Sequence, residues 1–162
     1  MQTVGTYEDG DLVLRRHVAE TPEFVWKFLT ESELLERWFG TWTGDPSTGT
    51  VDVTMNAEPG SDMNPSRYTI VECEAPHILM VQSPLGDDVW TLSVRLIEQA
   101  EGTTVVLRHH GVPIAMLGEV GPGWDWYLDR LVAVLADGEP PTLTDFDERY
   151  LPQADRYRGL LT

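Results

Sequence analysis

One histidine occupies a position from which it could perform acid–base chemistry. His109 alternates with Val105 and Leu107, so all three share one face of a predicted strand. Imidazole is the side chain that most readily exchanges a proton near neutral pH. Two interpretations stay open: His109 presents its ring to a bound molecule, or it is a structural residue at a strand end. Its neighbour His110 falls on the opposite face.

Arg16 is a second candidate, because a cation on an apolar face can hold a negative charge. It alternates with Leu14 and Val18 in a predicted strand and could enter a cavity to bind a carboxylate or an enolate. A buried guanidinium requires a partner. A register shift of one residue would turn Arg16 towards water instead.

Aromatic residues are concentrated in two parts of the chain. Trp38, Phe39 and Trp42 lie close together, whereas Trp90 and Trp124 occur where a strand and a helix are expected to face each other. Aromatic rings offer a large apolar area, which suits a ligand pocket. The same rings could equally fill an ordinary core.

The sequence lacks the patterns of a metal, nucleotide or serine-nucleophile site. Its four histidines show no two-histidine helical spacing, and the lone Cys73 can form neither an intrachain disulfide nor a thiolate cluster. No Gly-X-Ser-X-Gly elbow, phosphate loop or Gly-X-Gly-X-X-Gly fingerprint occurs. We therefore expect no metal and no cofactor, and we assign no catalytic residue. Cys73 lies in a predicted strand, where we expect a small buried apolar side chain.

The charge balance excludes several classes of partner. Against 27 acidic residues stand 11 basic ones, a net charge of −16 over 162 residues. A surface this acidic, without a basic cluster, repels nucleic acids and anionic membranes. The N-terminus does not resemble a signal peptide, and no apolar run approaches the roughly 18 residues that span a bilayer. We expect a cytoplasmic monomer or homodimer.

The hydrophobic period changes twice along the chain. A strand over residues 12–18 precedes a helix that begins at Thr21-Pro22 and a second short helix after a capping box at Thr30-Glu-Ser-Glu33. Apolar residues then alternate with polar ones, as in an antiparallel sheet with one buried face. The strands predicted there cover residues 50–55, 68–73, 78–82, 89–97 and 103–110.

A long helix near residues 117–137 restores the helical period and can cover the sheet. Gly121-Pro122-Gly123 predicts a kink or a fresh helix start within it. We assign residues 1–140 to one domain. Residues 141–162 form an acidic, irregular tail that packs on this domain or trails from it.

The order and spacing of several segments resemble a known family. These are Arg16-His-Val18, Thr21-Pro-Glu-Phe-Val-Trp26, Leu34-Leu-Glu-Arg-Trp-Phe-Gly40, Tyr68-Thr-Ile-Val-Glu-Cys-Glu-Ala-Pro76, Gly102-Thr-Thr-Val-Val-Leu-Arg-His-His-Gly111 and Gly123-Trp124. Together they resemble the START-like (SRPBCC, helix-grip) superfamily, and within it the heat-shock protein 90 ATPase activator homologue group. The resemblance covers roughly residues 10–138.

The resemblance implies an α+β fold of the helix-grip type. A curved antiparallel sheet of about six strands wraps around a long C-terminal helix, with two short helices after the first strand. Relatives hold apolar ligands between helix and sheet, which implies a small apolar ligand here. One alternative is a polyketide cyclase or aromatase, in which His109 or Tyr68 moves protons and Arg16 steadies negative charge. Another is a protein–protein adaptor with a chaperone partner, like the co-chaperone namesake of the group.

We therefore predict a cavity between the long helix and the sheet. Three apolar faces, two from strands and one from the helix, converge there and seldom close perfectly. The residues predicted to line the cavity are Trp90, Leu92, His109, Trp124, Leu128, Arg16 and Tyr68, with Trp38 and Phe39 near its mouth.

Overall fold

Antiparallel strands form one open sheet in the computed structural model, which describes residues 5–57, 65–85 and 88–161. The strands are β1 (Thr6–Glu8), β2 (Asp11–Val18), β3 (Gly40–Thr43), β4 (Thr50–Met55), β5 (Ser66–Glu74), β6 (Ile78–Leu85), β7 (Asp88–Gln99) and β8 (Gly102–His110). Across the sheet they follow the order β1-β2-β8-β7-β6-β5-β4-β3.

Helices precede and follow the main run of strands. They are α1 (Pro22–Thr30), α2 (Ser32–Leu35), α3 (Leu117–Leu135), α4 (Leu143–Asp145) and α5 (Ala154–Arg158). The buried core lies between the inner face of the sheet, α1 and the long helix α3. The helices in the described part of the chain include none that is long and apolar enough to cross a membrane.

The predicted α+β fold is confirmed, and the described residues form two strands more than the expected six. All six predicted strands are present. The two additional strands, β1 and β3, contain only three and four residues and form the edges of the sheet. β1 is shorter than the four to eight residues over which alternation identifies a strand, and β3 only just reaches the lower limit.

The helix start predicted at Thr21 is confirmed. Thr21 Oγ1 accepts a hydrogen bond from the backbone N–H of Phe24 at 3.2 Å, and Pro22 is the first helical residue. The capping box predicted at Thr30 is wrong. Thr30 Oγ1 donates instead to the carbonyl of Trp26 at 2.9 Å, and α2 begins without a side-chain cap.

The Gly121-Pro122-Gly123 segment lies inside α3. A fresh helix start at Pro122 is therefore wrong, because α3 already begins at Leu117. Gly121 has a packing role, since a Cβ atom at this position would overlap the ring of Tyr157. A residue without a side chain lets the C-terminal segment approach the helix backbone.

A β-bulge in β5 changes the expectation for Cys73. The pairing of β5 with β6 shifts between Ile70 and Glu72, so one extra residue, Val71, interrupts the alternation. Beyond the bulge Cys73 pairs with Leu79, on the same face as Ile70. Cys73 is exposed rather than buried. The pairing of β4 with β5 ends at Thr69, so β4 does not flank this end of β5.

The segment after residue 140 forms short helical turns against α3 instead of an irregular tail. Thr142 and Asp145 make a capping box, in which the Thr142 N–H donates to Asp145 Oδ2 at 2.8 Å. Tyr150 and Tyr157 are almost completely buried. These two rings attach the segment to the body of the protein.

Candidate ligand cavity

A cavity of about 340 Å³ lies between α3 and the inner face of the sheet. The helix contributes Trp124, Tyr127 and Leu128, and the central strands contribute aliphatic side chains such as Leu92 and Leu107. The period of α3 and the alternation of β7 and β8 aim these side chains at one another. The result is a wall that is almost entirely apolar.

The mouth of the cavity lies between α1, β3 and the bulged end of β5. Trp26 and Trp42 are half-buried, and Pro46 and Cys73 are exposed, although all four line the cavity. Trp26 and Trp42 therefore flank the opening.

Three tryptophans of the wall direct their N–H groups into the protein. The Trp38 indole donates to the carbonyl of Phe28 at 2.9 Å, and the Trp42 indole donates to the carbonyl of Thr30 at 2.8 Å. The Trp124 indole donates to a histidine, described below. Because an indole has only this one polar hydrogen, these rings offer a ligand apolar surface alone.

Six of the nine residues expected at the cavity line it. They are Leu92, Trp124, Leu128, Tyr68, Trp38 and Phe39. Trp38 and Phe39 are both buried and lie deeper than the mouth at which they were expected. Trp90, His109 and Arg16 are not part of the lining.

His109 supports the cavity wall from behind. Its Nδ1 accepts the hydrogen bond of the Trp124 indole at 3.1 Å, and its ring centre lies 4.5 Å from that of Trp90. Burial, followed by the nearby His110, lowers the pKa of His109 from its usual 6.5 to about 4. His109 is therefore neutral at physiological pH. The strand period gave its face correctly but could not show that Trp124 would cover it.

Arg16 lies against a different face of α3. It donates to Asp125 at 2.7 Å and to Asp129 at 2.9 Å. Burial lowers the pKa of Arg16, but the two carboxylates outweigh burial and raise it above its ordinary value. The expectation of an inward-facing arginine holds, yet both charges that it meets belong to the protein. Arg16 is thus unavailable to a ligand in the cavity.

The C-terminal segment completes this second site. The Tyr157 hydroxyl donates to Asp125, and the Tyr150 hydroxyl donates to Asp129 Oδ2 at 2.7 Å. We call Arg16, Asp125, Asp129, Tyr150 and Tyr157 the polar cluster. Tyr150 and Tyr157 indicated from the sequence that the acidic tail could be attached to the body, but their pairing with Asp125 and Asp129 was not predicted.

The model of the family described as "Activator of Hsp90 ATPase homolog 1-like protein" matches residues 19–136. The chain belongs to this family. The expected resemblance is thereby confirmed. No curated protein matches the sequence.

Several solved structures share the fold of this family member. CalU16 from Micromonospora echinospora is 25% identical over 93% of this chain and 88% of its own, with a TM-score of 0.72. The protein encoded by gene BPP1335 of Bordetella parapertussis is 20% identical over 96% and 94%, with a TM-score of 0.76. DynU16, from the dynemicin biosynthetic locus, is 21% identical over 82% of this chain but only 49% of its own, with a TM-score of 0.69.

The bounds of the family match separate the cavity from part of the polar cluster. Every described residue that lines the cavity lies within residues 19–136. Arg16, Tyr150 and Tyr157 lie outside that range. The cavity is therefore built from the family's shared region, whereas the polar cluster needs segments on both sides of it.

A hydroxyl–imidazole–carboxylate chain lies on the outer face of the sheet, away from the cavity. Ser93 Oγ is 2.9 Å from His110 Nε2, and His110 Nδ1 is 3.5 Å from Asp11 Oδ2. Asp11 also accepts hydrogen bonds from Arg108 and from the backbone N–H of Gly111. Ser93 is buried, and this chain joins the start of β2, the middle of β7 and the end of β8. Among the described residues, no three His, Cys, Asp or Glu side chains come close enough together to hold a metal ion.

Proposed function

We propose that this protein binds a small apolar molecule in the cavity between α3 and the sheet. The observation that carries the proposal is the cavity itself, about 340 Å³ bounded by apolar side chains. Protein interiors are ordinarily packed to the density of organic crystals. A volume at the lower end of the roughly 300–1,000 Å³ typical of ligand sites suits a small ligand.

The composition of the wall favours binding over catalysis of the cyclase type. The described residues that line the cavity include no charged side chain and no histidine. A cyclase-like mechanism would rest on His109 or Tyr68 as proton carrier and on Arg16 as a cation. Of these three residues only Tyr68 lies at the cavity, and a phenol without the histidine or the arginine does not make the acid–base pair of that mechanism.

The exposed apolar residues give less support to an adaptor. Val71 lies on β5, Val89 near the start of β7 and Ile114 after β8. Apolar side chains scattered singly over a surface are ordinary and need no partner. The structural neighbour from a biosynthetic locus is in keeping with a small-molecule ligand.

A titration with the neutral apolar dye Nile red tests the proposal. We expect saturable binding with one dye per chain, followed by dye fluorescence and by calorimetry. Leu92→Phe places extra atoms in the cavity and should weaken dye binding about tenfold or more, because it removes ligand volume. Val89→Phe enlarges an exposed residue on the same strand and is the matched control.

Two outcomes would overturn the proposal. One is the absence of saturable binding by the folded wild-type protein at dye-soluble concentrations. The other is equal loss of binding in the Leu92→Phe and Val89→Phe variants, since the site would then lie outside the cavity.

A further inference from the structure

We infer that the ligand is an uncharged ring compound with a hydrogen-bond acceptor, and that Tyr68 selects it. This inference rests on the proposed function and adds the chemical class of the ligand. It follows from three properties of the described part of the wall: its lack of charge, the engagement of three of its four indole N–H groups, and the presence of the Tyr68 phenol.

The wall offers no counter-charge to an ionic ligand. None of the described lining residues is Lys, Arg, His, Asp or Glu. Two arginines nearby are engaged with other parts of the protein. Arg16 binds two carboxylates, and Arg130 donates to the carbonyls of Trp38 and Pro141 at 3.0 Å and 2.6 Å. A carboxylate or an ammonium group would lose its hydration in the cavity without gaining a partner, which is strongly unfavourable.

The rings of the wall favour a flat ligand. Trp26, Trp38, Trp42 and Trp124 all contribute to the lining. Three of them use their N–H groups within the protein, so their contribution is large, rigid apolar surface. Aromatic surfaces pack best against other rings in offset or edge-on arrangements. A volume of about 340 Å³ is large enough for a bicyclic compound.

Tyr68 brings a phenol hydroxyl to the described part of the wall. It lies on β5, lines the cavity and is 8% exposed. Burial raises the pKa of Tyr68, while a hydrogen bond with Ser83 acts in the opposite direction, so the phenol stays protonated at neutral pH. The phenol therefore keeps its O–H group, which can donate to an acceptor such as a ketone oxygen.

Four naphthalene probes of similar shape test the inference. They carry a methyl ketone, an ethyl group, a carboxylate or an aminomethyl cation, and each competes with Nile red. We expect the ketone to bind roughly 3- to 10-fold more tightly than the ethyl compound, as one hydrogen bond allows. Both ions should bind on the order of 100-fold more weakly than the ketone, because both lose hydration.

The two ionic probes distinguish the effect of the cavity wall on binding from the effect of the protein's overall charge. The net charge of −16 repels only the anion. If the cation binds as well as the ketone, the overall charge rather than the wall determines selectivity and the inference is overturned. If the carboxylate binds as well as the ketone, the inference is again overturned, although the proposed function stands. If Nile red and all four probes fail to bind, the proposed function itself is lost.

A pair of variants tests the role of Tyr68. Tyr68→Phe should abolish the advantage of the ketone over the ethyl compound and leave the affinity of the ethyl compound unchanged. Tyr127→Phe removes the hydroxyl of the other tyrosine in the wall and should preserve that advantage. An unchanged ketone advantage in Tyr68→Phe, or an equal loss in both variants, contradicts the assignment of Tyr68.

Discussion

Two neighbouring faces of α3 have opposite chemistry and opposite packing. One carries Trp124, Tyr127 and Leu128 and borders an apolar cavity of about 340 Å³. The other carries Asp125 and Asp129, which the rest of the chain covers with hydrogen-bond donors. At 100° per residue, adjacent positions of one helix belong to these different surroundings.

The difference lies in what covers each face. The N-terminal strand β2 and the C-terminal segment close over the acidic face and fill it with the Arg16 side chain and two tyrosine rings. The sheet curves over the apolar face without filling it. Buried charges tolerate no missing partner, whereas an apolar wall can remain open for a ligand. The polar cluster thus holds α3 in place, whereas the cavity can be empty or hold a ligand.

Removal of Arg16 should have the largest effect. Arg16→Met leaves Asp125, which is fully buried, without its cation. We expect the free energy of unfolding to fall by roughly 3–5 kcal/mol, as for other broken buried pairs. Arg15→Met removes the adjacent arginine, whose ion pair with Glu8 is exposed, and should cost less than about 1 kcal/mol. Urea denaturation measures both; equal losses would show that the polar cluster does not hold the helix.

Acid should destabilise the protein by protonating His109, which accepts a hydrogen bond from Trp124 of the cavity wall. The pKa of His109 is about 4 in the folded protein and near 6.5 when the chain is unfolded. The unfolded state therefore binds the proton more readily between these values. The stabilisation is complete above pH 6.5 and is lost as the pH falls towards 4, by roughly 2–3 kcal/mol in all.

Urea unfolding at several pH values checks this dependence. His109→Gln should flatten the dependence between pH 6.5 and 4. His17→Gln changes an exposed histidine and should leave it as in the wild type. A slope that persists unchanged in His109→Gln would place the titrating group elsewhere.

The sequence predicted the cavity's framework better than it predicted the cavity's neighbours. Alternation in β7 and the stripe of α3 are local patterns, and both placed side chains such as Leu92 and Leu128 on the correct faces. The hydrogen bond between His109 and Trp124 joins strand β8 to helix α3. Neither the strand alternation nor the helical period predicts a contact between two different elements. A face assignment says that a side chain points inward, but not which inward-facing group it will meet.

Arg16 illustrates the same limit over a longer distance. Its partners Asp125 and Asp129 lie more than a hundred residues further along the chain. Their spacing of four residues places both carboxylates on one face of a helix, which was visible in the sequence. Which strand would cover that face depends on the position of β2 beside β8, a property of the whole sheet.

Crowding at the covered face should be costly even for a single methyl group. Gly121→Ala places a Cβ atom against the ring of Tyr157, which is fully buried and has no room to move. We expect a loss of about 1–3 kcal/mol in the free energy of unfolding. Gly123→Ala, two residues along the same helix, meets no atom within 4 Å and should instead stabilise by about 0.5–1 kcal/mol. Thermal denaturation of the two variants distinguishes them, and equal midpoints would refute the close packing of Tyr157.

Filling the cavity face should have the smallest effect on stability. Leu92→Phe and Gly121→Ala add similar volumes, but Leu92→Phe adds its volume next to empty space. Overpacking of a filled core typically costs about 1–3 kcal/mol, because side chains and backbone must shift. Here the new ring can occupy the cavity and gain contacts that the wild type lacks. We therefore expect the free energy of unfolding without ligand to change by less than about 0.5 kcal/mol, the range of an ordinary surface substitution. Urea denaturation of dye-free protein measures it. A loss comparable to that of Gly121→Ala would mean that both faces of α3 are equally filled, and the contrast between them would disappear.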